Sequence, residues 1–376
     1  MKKRKLKKGF KIMMILVLLL ALVAVSGTAY VFLYPAVKLK INLPKEPSQV
    51  EFGSELDPVE AKLDNESLGL GPEYQLSYKY DTKKVGEGLC EITVKKGKVE
   101  RVFEHKIMVV DTTPPEFEVI YRYLYIKNIN QNFKANIKGK ITDNYDRDIK
   151  IDKMEFLGKI EDKPGIYEIL YQVSDSSGNV TSKKVYYFYK LSPEMMERPF
   201  KFTWNDKEYI LANKWVPLPK SYALGADKEA RAQLDAMLAA MKKAGVGVGI
   251  KSGYRSYNAQ QNIWNRDVAR DGEVETARFL ARPGYSEHQT GLTYDIGIVS
   301  ANFEKTDAFK WLQQHAQEYG FSMRYPKTAE SITGYGYEPW HYRYLGVELA
   351  TALWEARQSG NSDLTLEEFI GFYHEN

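Results

Sequence analysis

One apolar segment near the N-terminus constrains this chain more than any other feature. Residues 12–34 form an uninterrupted run without a charged side chain, and about 20 such residues suffice to cross the hydrocarbon core of a bilayer as a helix. Seven lysine and arginine residues precede the run, and basic flanks tend to stay in the cytoplasm. The sequence therefore predicts a cytoplasmic tail over residues 1–11, a transmembrane signal anchor over residues 12–34, and an extracytoplasmic remainder.

A cleaved signal peptide is the alternative interpretation of the same segment. Gly27-Thr28-Ala29 resembles the small-x-small sequence at which signal peptides are cut. The apolar run continues past this site and exceeds the usual hydrophobic region of about 7–15 residues. This length favours the single-pass membrane anchor over secretion after cleavage.

The formal net charge of +4 arises in the N-terminal tail. Removing the seven basic residues of the tail from this total leaves −3 on the remaining residues. A body with this balance lacks the excess of basic side chains by which proteins hold nucleic-acid phosphates, so we expect no nucleic-acid partner. The single cysteine, Cys90, excludes an intrachain disulfide and a cysteine-based metal site.

Residues 37–191 have the pattern of antiparallel β-structure. Short segments rich in Val, Ile, Tyr and Phe alternate with Gly, Pro, Asp and Asn turns. The Gly-Leu-Cys-Glu-Ile segment at residues 88–92 matches Gly-Ile-Tyr-Glu-Ile at residues 165–169, which indicates one small β-sandwich per repeat. The Asp-Thr-Thr-Pro-Pro segment at residues 111–115 is the predicted joint, because two prolines stiffen a linker.

The two predicted β domains, residues 37–112 and 113–191, resemble the bacterial immunoglobulin-like domains found in tandem on cell-surface proteins. The resemblance rests on the Pro-Pro joint and on turn segments of the second repeat, at residues 142–146, 163–167 and 173–179. It implies two all-β immunoglobulin-like sandwiches that serve as spacers or adhesive modules.

An acidic cluster in the second repeat contains Asp143, Asp146 and Asp148. Carboxylate oxygens are the ligands that calcium prefers, so calcium binding is one interpretation. Aspartate is also common in turns, where its side chain bonds to nearby backbone groups. We favour the turn interpretation for these three residues.

After Pro193 the pattern changes to α+β, and we predict a separate domain over residues 196–376 that contains a small antiparallel sheet. Apolar residues at helical spacing predict a helix over residues 227–244, followed by a short strand over residues 246–250. Further helices are predicted over residues 257–269, 307–319 and 347–358.

Two of the five histidines have neighbours that suggest a metal site. A catalytic zinc ion takes three protein ligands, commonly imidazole and carboxylate, and keeps a fourth position for water. His288, Asp295 and His341 make such a set. A straight strand would direct His288 and Asp295 to opposite faces, so a bend is required between them, and Gly291 is the residue that can provide it. The remaining histidines, His105, His315 and His374, are assigned no role.

Two further side chains complete the chemistry of an amide hydrolase. Glu338 lies three residues before His341, close enough to reach a metal-activated water without being a ligand, which makes it the candidate general base. Arg255 follows a predicted strand, where its guanidinium can stabilise an oxyanion or bind a carboxylate. Two imidazoles and one carboxylate would also accept divalent ions other than zinc.

These residues and their surrounding segments resemble the VanY-like zinc D,D-carboxypeptidases, relatives of the VanX dipeptidases. The resemblance runs from about residue 209 to 346 and rests on Ser-Gly-Tyr-Arg-Ser at 252–256, Ala-Arg-Pro-Gly-Tyr-Ser-Glu-His at 281–288 and Glu-Pro-Trp-His-Tyr at 338–342. One departure is Thr293, where the family usually has alanine.

The resemblance implies a role for each candidate residue. Zinc would be bound by His288, Asp295 and His341, with Glu338 as base and Arg255 as the stabiliser of the transition state. Ser286 and Gln260 would contact the C-terminal part of the substrate.

The activity implied is hydrolysis of the terminal D-Ala-D-Ala bond of peptidoglycan stem peptides at the outer face of the membrane. Three alternatives stay open at this point: an L,D-carboxypeptidase that removes D-Ala from tetrapeptide stems, an endopeptidase, and a wall-binding scaffold without catalysis. The sequence does not distinguish the two carboxypeptidases, because they differ in the detail of the substrate pocket.

Overall fold

The computed structural model of the protein describes residues 39–54 and 62–375. The predicted cytoplasmic tail and membrane anchor, residues 1–34, lie outside the described residues. Within the described ranges, no helix combines the length and the apolar character needed to cross a bilayer.

The strands and helices are named here in chain order. The strands are β1 (Ser48–Glu51), β2 (Gln75–Lys79), β3 (Gly86–Lys96), β4 (Val99–Val110), β5 (Glu116–Val119), β6 (Tyr123–Ile126), β7 (Ile137–Thr142), β8 (Glu155–Leu157), β9 (Gly165–Ser174), β10 (Val180–Tyr189), β11 (Lys201–Trp204), β12 (Lys207–Ile210), β13 (Ile250–Ser252), β14 (Thr293–Ile296), β15 (Phe321–Tyr325), β16 (Glu338–Tyr344) and β17 (Phe372–His374). The α-helices are α1 (Lys228–Lys243), α2 (Tyr257–Asp271), α3 (Glu273–Phe279), α4 (Asp307–His315), α5 (Glu330–Thr333), α6 (Val347–Ser359) and α7 (Leu366–Ile370).

The chain divides into two compact units. Unit 1 contains the described residues up to Glu116, together with Ile141–Ile149 and Ser174–Val180, and unit 2 contains Phe117–Lys140, Lys150–Val173 and the chain from Thr181 onward. The N-terminal half is mostly β-structure, whereas the helices α1–α7 follow residue 227. The domain boundaries inferred from the sequence stay predictions.

The internal repeat is visible in the strand order of two sheets. In unit 1 the strand order is β1-β4-β3-β2, so the first of these strands in the chain lies beside the last. In unit 2 the strands β6-β10-β9-β8 are arranged in the same way, with β6 beside β10. The matched segments fall at the start of β3 and of β9, so the sequence repeat corresponds to a repeated hairpin with a strand on each side.

Both sheets depart from the purely antiparallel arrangement predicted from the sequence. β1 is parallel to β4, β6 is parallel to β10, and β17 adds to the outer side of β6 as another parallel neighbour. Local turn patterns reveal hairpins, but a parallel pair joins segments far apart in sequence, as β6 and β17 are, and leaves no local signal.

The last part of unit 2 is an antiparallel sheet, β13-β14-β16-β15, covered by α1 and α4, as the α+β prediction required. The carboxylate of Asp227 caps α1 by accepting from the Ala230 N–H at 2.9 Å. Buried side chains of the helices, such as Leu234 and Leu312, pack with strand residues in one core.

The predicted strand over residues 246–250 was wrong for all but its final residue. Val246 instead donates its N–H to the Met241 carbonyl at 3.0 Å and so satisfies the end of α1. The strand β13 begins only at Ile250. Helix α4 is also shorter than predicted, because Ala316–Tyr319 tightens into a 3₁₀ turn before Gly320.

Candidate active site

The structure brings the three predicted metal ligands together. Asp295 on β14 and His341 on β16 are direct cross-strand partners. His288 lies on the 3₁₀ helix Glu287–Thr290, which leads into β14. One ligand atom from each of the three buried side chains lies within 4.8 Å of the others.

Gly291 provides the bend that the sequence required between His288 and Asp295. It ends the 3₁₀ helix with φ of 75°, a left-handed conformation that strongly favours glycine. A Cβ atom at this position would collide with the Gly225 carbonyl oxygen and lie 2.9 Å from the Asp227 nitrogen. The backbone therefore has no room for a side chain where the chain turns from one ligand to the next.

Gly291→Ala is expected to destabilise the fold by about 2–3 kcal/mol, combining the left-handed conformation with the steric overlap. Gly245→Ala is the matched control, because Gly245 has a φ of 76° and nothing within 4 Å of its Cβ position. Thermal unfolding of both variants separates the two contributions. Equal losses of stability in the two variants would contradict the steric argument.

Hydrogen bonding fixes which nitrogen of His288 is available to a metal. Its Nδ1 lies 2.8 Å from the Gly253 carbonyl oxygen, and a carbonyl can only accept, so Nδ1 carries the proton. The Nε2 atom then has a free lone pair and lies 3.4 Å from Oδ2 of Asp295. A backbone carbonyl behind a ligating histidine is a common way to set its tautomer and orientation.

His341 presents Nδ1 to the other ligand atoms, whereas His288 presents Nε2, because a buried carboxylate lies beside Nε2 of His341. Its Nε2 lies 3.4 Å from Oε2 of Glu287, so this nitrogen donates and Nδ1 faces the other ligand atoms. Nδ1 lies 3.5 Å from Oδ1 of Asp295 and 3.2 Å from Oε2 of Glu338. Thus Nε2 of His288 and Nδ1 of His341 both point toward Asp295.

Glu287 belongs to a buried network of charges that the sequence did not reveal. Its Oε1 accepts from Arg324 Nε at 2.9 Å and from a terminal nitrogen of Arg343 at 3.0 Å. Arg324 also pairs with Glu367, at 2.7 Å for one of two bonds. Although burial alone would raise the pKa of Glu287, the two guanidinium groups hold that pKa well below its ordinary value. Glu287 therefore faces His341 as a carboxylate.

One signal in the sequence could have revealed part of this network. Arg343 is two residues after His341 on the same strand, so the two side chains lie on one face, and Glu287 directly precedes His288. Nothing local identified Arg324, which reaches Glu287 from a distant segment, or Glu367, which pairs with Arg324.

Glu338 is at the start of β16, buried beside the ligand cluster. Burial raises the pKa of its carboxyl above the ordinary value, against an opposing effect of the nearby His341. A carboxylate with a raised pKa accepts and returns protons more readily near neutral pH, which suits a general base.

Arg255 is held in place by two side chains. Its guanidinium donates to Oε1 of Gln260 at 2.7 Å and to Oγ of Ser252 at 2.9 Å. Gln260 in turn donates to the Ala281 carbonyl at 2.7 Å. Arg255 and Gln260 thus act as one connected pair, a link between two predicted site residues that their sequence spacing did not reveal.

All seven predicted site residues line a single cavity of about 360 Å³. This volume is within the range of roughly 300–1,000 Å³ typical of small-molecule sites. Tyr325, Tyr335, Phe279 and Trp340 supply apolar and aromatic walls. The residues His105, His315 and His374, assigned no role from the sequence, are absent from the lining.

The comparisons with known proteins concern this part of the chain. Residues 224–347 match the family model of VanY, described as D-alanyl-D-alanine carboxypeptidase. The putative carboxypeptidase YodJ of Bacillus subtilis is 45% identical over 149 residues, which cover 38% of this chain and 52% of that relative. Residues 224–347, called the VanY domain below, belong to the VanY family.

Two solved structures are also similar to the VanY domain in sequence. The LdcB LD-carboxypeptidase is 40% identical, covering 46% of this chain and 91% of that one, with a TM-score of 0.42. A vancomycin-resistance D,D-pentapeptidase VanY in complex with Zn(II) is 32% identical, covering 43% of this chain and 97% of that one, with a TM-score of 0.37. The chain spans about half the length of the Bacillus relative and less than two thirds of the other curated relatives.

The donor set of the VanY domain fits a zinc ion. Zinc is bound by imidazole nitrogen and carboxylate oxygen, and a catalytic site uses three such protein ligands. Oδ1 of Asp295 is buried and accepts no hydrogen bond from the described residues. A buried acceptor of this kind is costly unless it has a partner, and a cation bound by His288, Asp295 and His341 would provide one.

Zinc binding by the VanY domain is expected to release a proton at neutral pH. Burial alone would lower the pKa of His341, but the carboxylates of Glu287, Glu338 and Asp295 raise it to about 9. Because zinc requires the deprotonated nitrogen, its affinity should fall about tenfold per pH unit below this value. Calorimetry at pH 7 in buffers of different ionisation enthalpy measures the release, and a heat independent of the buffer would contradict it.

Thr293, noted in the sequence as a departure from the family pattern, is a buried polar residue of the VanY domain. The residue is fully buried on β14, and its hydroxyl has no hydrogen-bond partner among the described residues. A buried hydroxyl without a partner is energetically costly.

Thr293→Val is expected to stabilise the VanY domain by about 1 kcal/mol, because it replaces an unsatisfied buried hydroxyl by a methyl group of similar shape. Thr293→Ser keeps the hydroxyl and removes the methyl, so it should be destabilising. Denaturant unfolding of the two variants tests the sign, and a less stable valine variant would contradict the unsatisfied state of the hydroxyl.

Proposed function

We propose that the VanY domain is a zinc-dependent carboxypeptidase that hydrolyses the terminal D-Ala-D-Ala bond of peptidoglycan stem peptides. The observation that carries the proposal is the convergence of His288, Asp295 and His341 within 4.8 Å, in the same cavity as Glu338 and Arg255. The VanY family match over residues 224–347 supports the substrate class.

Each residue has a defined part in the proposed reaction. Zinc, when bound, supplies the Lewis acidity that polarises the scissile carbonyl and acidifies a water molecule. Glu338 accepts a proton from the attacking water while the oxygen of that water bonds to the carbonyl carbon. The same carboxyl group then returns the proton to the amine as the carbon–nitrogen bond breaks and D-Ala leaves.

Arg255 and its neighbours are proposed to hold the substrate. A guanidinium in a buried position stabilises a developing oxyanion or a terminal carboxylate far better than it would in water. Gln260 keeps Arg255 in one orientation, and Ser286 contributes a buried hydroxyl to the same cavity. These two residues are proposed to contact the C-terminal part of the peptide.

An L,D-carboxypeptidase acting on tetrapeptide stems is the second candidate. The observation that favours it is the sequence identity to LdcB, 40% against 32% for the D,D-pentapeptidase VanY. The two reactions share the metal, the base and the leaving group, and they differ in the residue that precedes the cleaved bond.

Mass spectrometry of stem peptides incubated with the zinc-loaded full chain separates these functions. Loss of D-Ala from a pentapeptide ending in L-Lys-D-Ala-D-Ala is the expected result, and the tetrapeptide ending in L-Lys-D-Ala is the comparison. Cleavage of the tetrapeptide alone would assign the L,D activity. Binding of either peptide without release of D-Ala would support the scaffold alternative and contradict the proposal, and cleavage inside the stem would indicate an endopeptidase.

The architecture proposed around the enzyme follows from the rest of the chain. Residues 12–34 would anchor the protein in the membrane, with the peptidase outside, and the β repeats would be immunoglobulin-like spacers that extend toward the wall. The topology repeated in the β1–β4 and β6–β10 sheets supports two related modules. Fractionation of cells that express the chain with and without residues 12–34 tests the anchor, and an unchanged membrane fraction would contradict it.

A further inference from the structure

Three aspartates of unit 1 converge although they come from distant parts of the sequence. Asp111, Asp143 and Asp175 each follow directly after the last residue of a strand, namely β4, β7 and β9. One carboxylate oxygen from each lies within 4.8 Å of the other two. We refer to these three residues as the Asp111 cluster.

Asp111 is buried without any compensating hydrogen bond. The residue is 6% exposed, and neither of its carboxylate oxygens has a partner among the described residues. The nearest donors in sequence, the N–H and hydroxyl groups of Thr112 and the hydroxyl of Thr113, bond to Glu51 instead. A buried carboxylate in this condition is unfavourable unless a cation or a donor reaches it.

Asp143 presents a third unsatisfied oxygen to the same place. Its Oδ1 accepts from the backbone N–H groups of Tyr145 and Asp146 at 2.9 and 2.8 Å. Its Oδ2 is buried and has no partner in the described part of the chain. The turn role predicted for Asp143 therefore occupies one oxygen and leaves the other for a ligand.

The surrounding loops hold these carboxylates in position. Asp175 accepts from the N–H and from the amide side chain of Asn179, both at 2.8 Å, and the same amide donates to the Asp111 backbone carbonyl at 3.0 Å. Asp146 accepts from the N–H and hydroxyl of Ser176, which ties two of the three segments together. Hydrogen bonds thus organise the loops around the acidic groups without neutralising them.

We propose that the Asp111 cluster binds one calcium ion. The three side chains offer oxygen ligands only, and hard divalent cations prefer such sets. Calcium accepts six to eight ligands in irregular geometry, whereas magnesium demands a near-regular octahedron. Carboxylates carried by three separate loops therefore suit calcium. The cluster differs from the acidic group considered in the sequence, since Asp146 bonds to Ser176 and Asp148 is exposed.

Calcium at this position would join the ends of β4, β7 and β9. Each of these segments belongs to unit 1 at the point of contact, so the ion would act as a cross-link within that unit. A ligand that binds the folded state alone stabilises it. The thermal unfolding temperature of the full chain should therefore depend on calcium.

The test uses the zinc-loaded full chain in detergent, with calcium chloride titrated by calorimetry and thermal unfolding followed in parallel. We expect one calcium per chain and an affinity in the range of extracellular modules, about 10⁻⁴–10⁻³ M. Asp111→Asn and Asp143→Asn should each weaken binding at least about tenfold, because one anionic ligand is lost. Asp148→Asn, an exposed aspartate of the same loop as Asp143, is the matched control and should bind as the unchanged chain does.

The sign of the stability change distinguishes a metal site from a structural role. In calcium-free buffer Asp111→Asn should unfold at the same or a higher temperature than the unchanged chain, because it removes one of three mutually repelling carboxylates. With calcium, only the unchanged chain and Asp148→Asn should be stabilised. The proposal would be overturned if calcium had no effect up to about 10 mM, a concentration well above this affinity range. It would also be overturned if calcium stabilised Asp111→Asn equally, or if magnesium stabilised the unchanged chain as much as calcium does.

Discussion

Glu338→Gln is expected to lower kcat for D-Ala release by about 10²–10⁴-fold, the usual contribution of a positioned general acid–base group. Glutamine keeps the shape of the side chain but neither accepts the proton of the attacking water nor returns it to the amine. Because Glu338 is outside the set of three ligands, zinc content should remain at one ion per chain.

The comparison with a ligand variant gives this prediction its control. His341→Ala removes a ligand and should lose both zinc and activity, whereas Glu338→Gln should lose activity alone. Metal analysis alongside the rate of D-Ala release measures both quantities. A Glu338→Gln protein that retains activity within tenfold would contradict the assignment of Glu338 as the base.

Glu287→Gln is expected to destabilise the VanY domain by about 3–5 kcal/mol, the range for breaking a buried ion pair by removing one partner. Arg324 would keep Glu367, but Arg343 would keep only the backbone carbonyls of Ile210 and Tyr344. Its buried charge would then be uncompensated. Zinc affinity should also fall about 10- to 100-fold, because Glu287 orients the ring of His341.

Glu330→Gln is the matched control for the loss of an ion pair. Glu330 pairs with Arg278 at 3.1 Å, and both side chains are nearly half exposed, so this change should cost no more than about 1 kcal/mol. Chemical unfolding and zinc titration of the two variants measure the contrast. Similar stabilities for the two variants would show that the Glu287 network contributes little.

The ligands of the candidate site were predictable because their chemistry is rare in this chain. Only five histidines are present, so two of them in unusual surroundings stood out, and Gly291 was required by the geometry of a strand. The hydrogen bonds that choose the tautomers were not predictable. They depend on the Gly253 carbonyl and on Glu287, whose positions follow from the packing of separate segments.

Long-range features of the fold were missed for a similar reason. The segments that form β3, β4, β9 and β10 have local turn signals and a visible repeat, so the sequence predicted antiparallel β-structure there. The parallel addition of β17 to β6 joins residues about 250 positions apart and has no local pattern. The Asp111 cluster likewise depends on three strand ends that meet only in the folded chain.

Titration of zinc into the metal-free full chain, with release of D-Ala from the pentapeptide as the readout, tests the central claim most directly. The proposed zinc carboxypeptidase predicts activity that rises from zero and reaches a plateau at one zinc per chain. Activity that survives removal of the metal, or a chain that binds one zinc and releases no D-Ala from either the pentapeptide or the tetrapeptide, would contradict it.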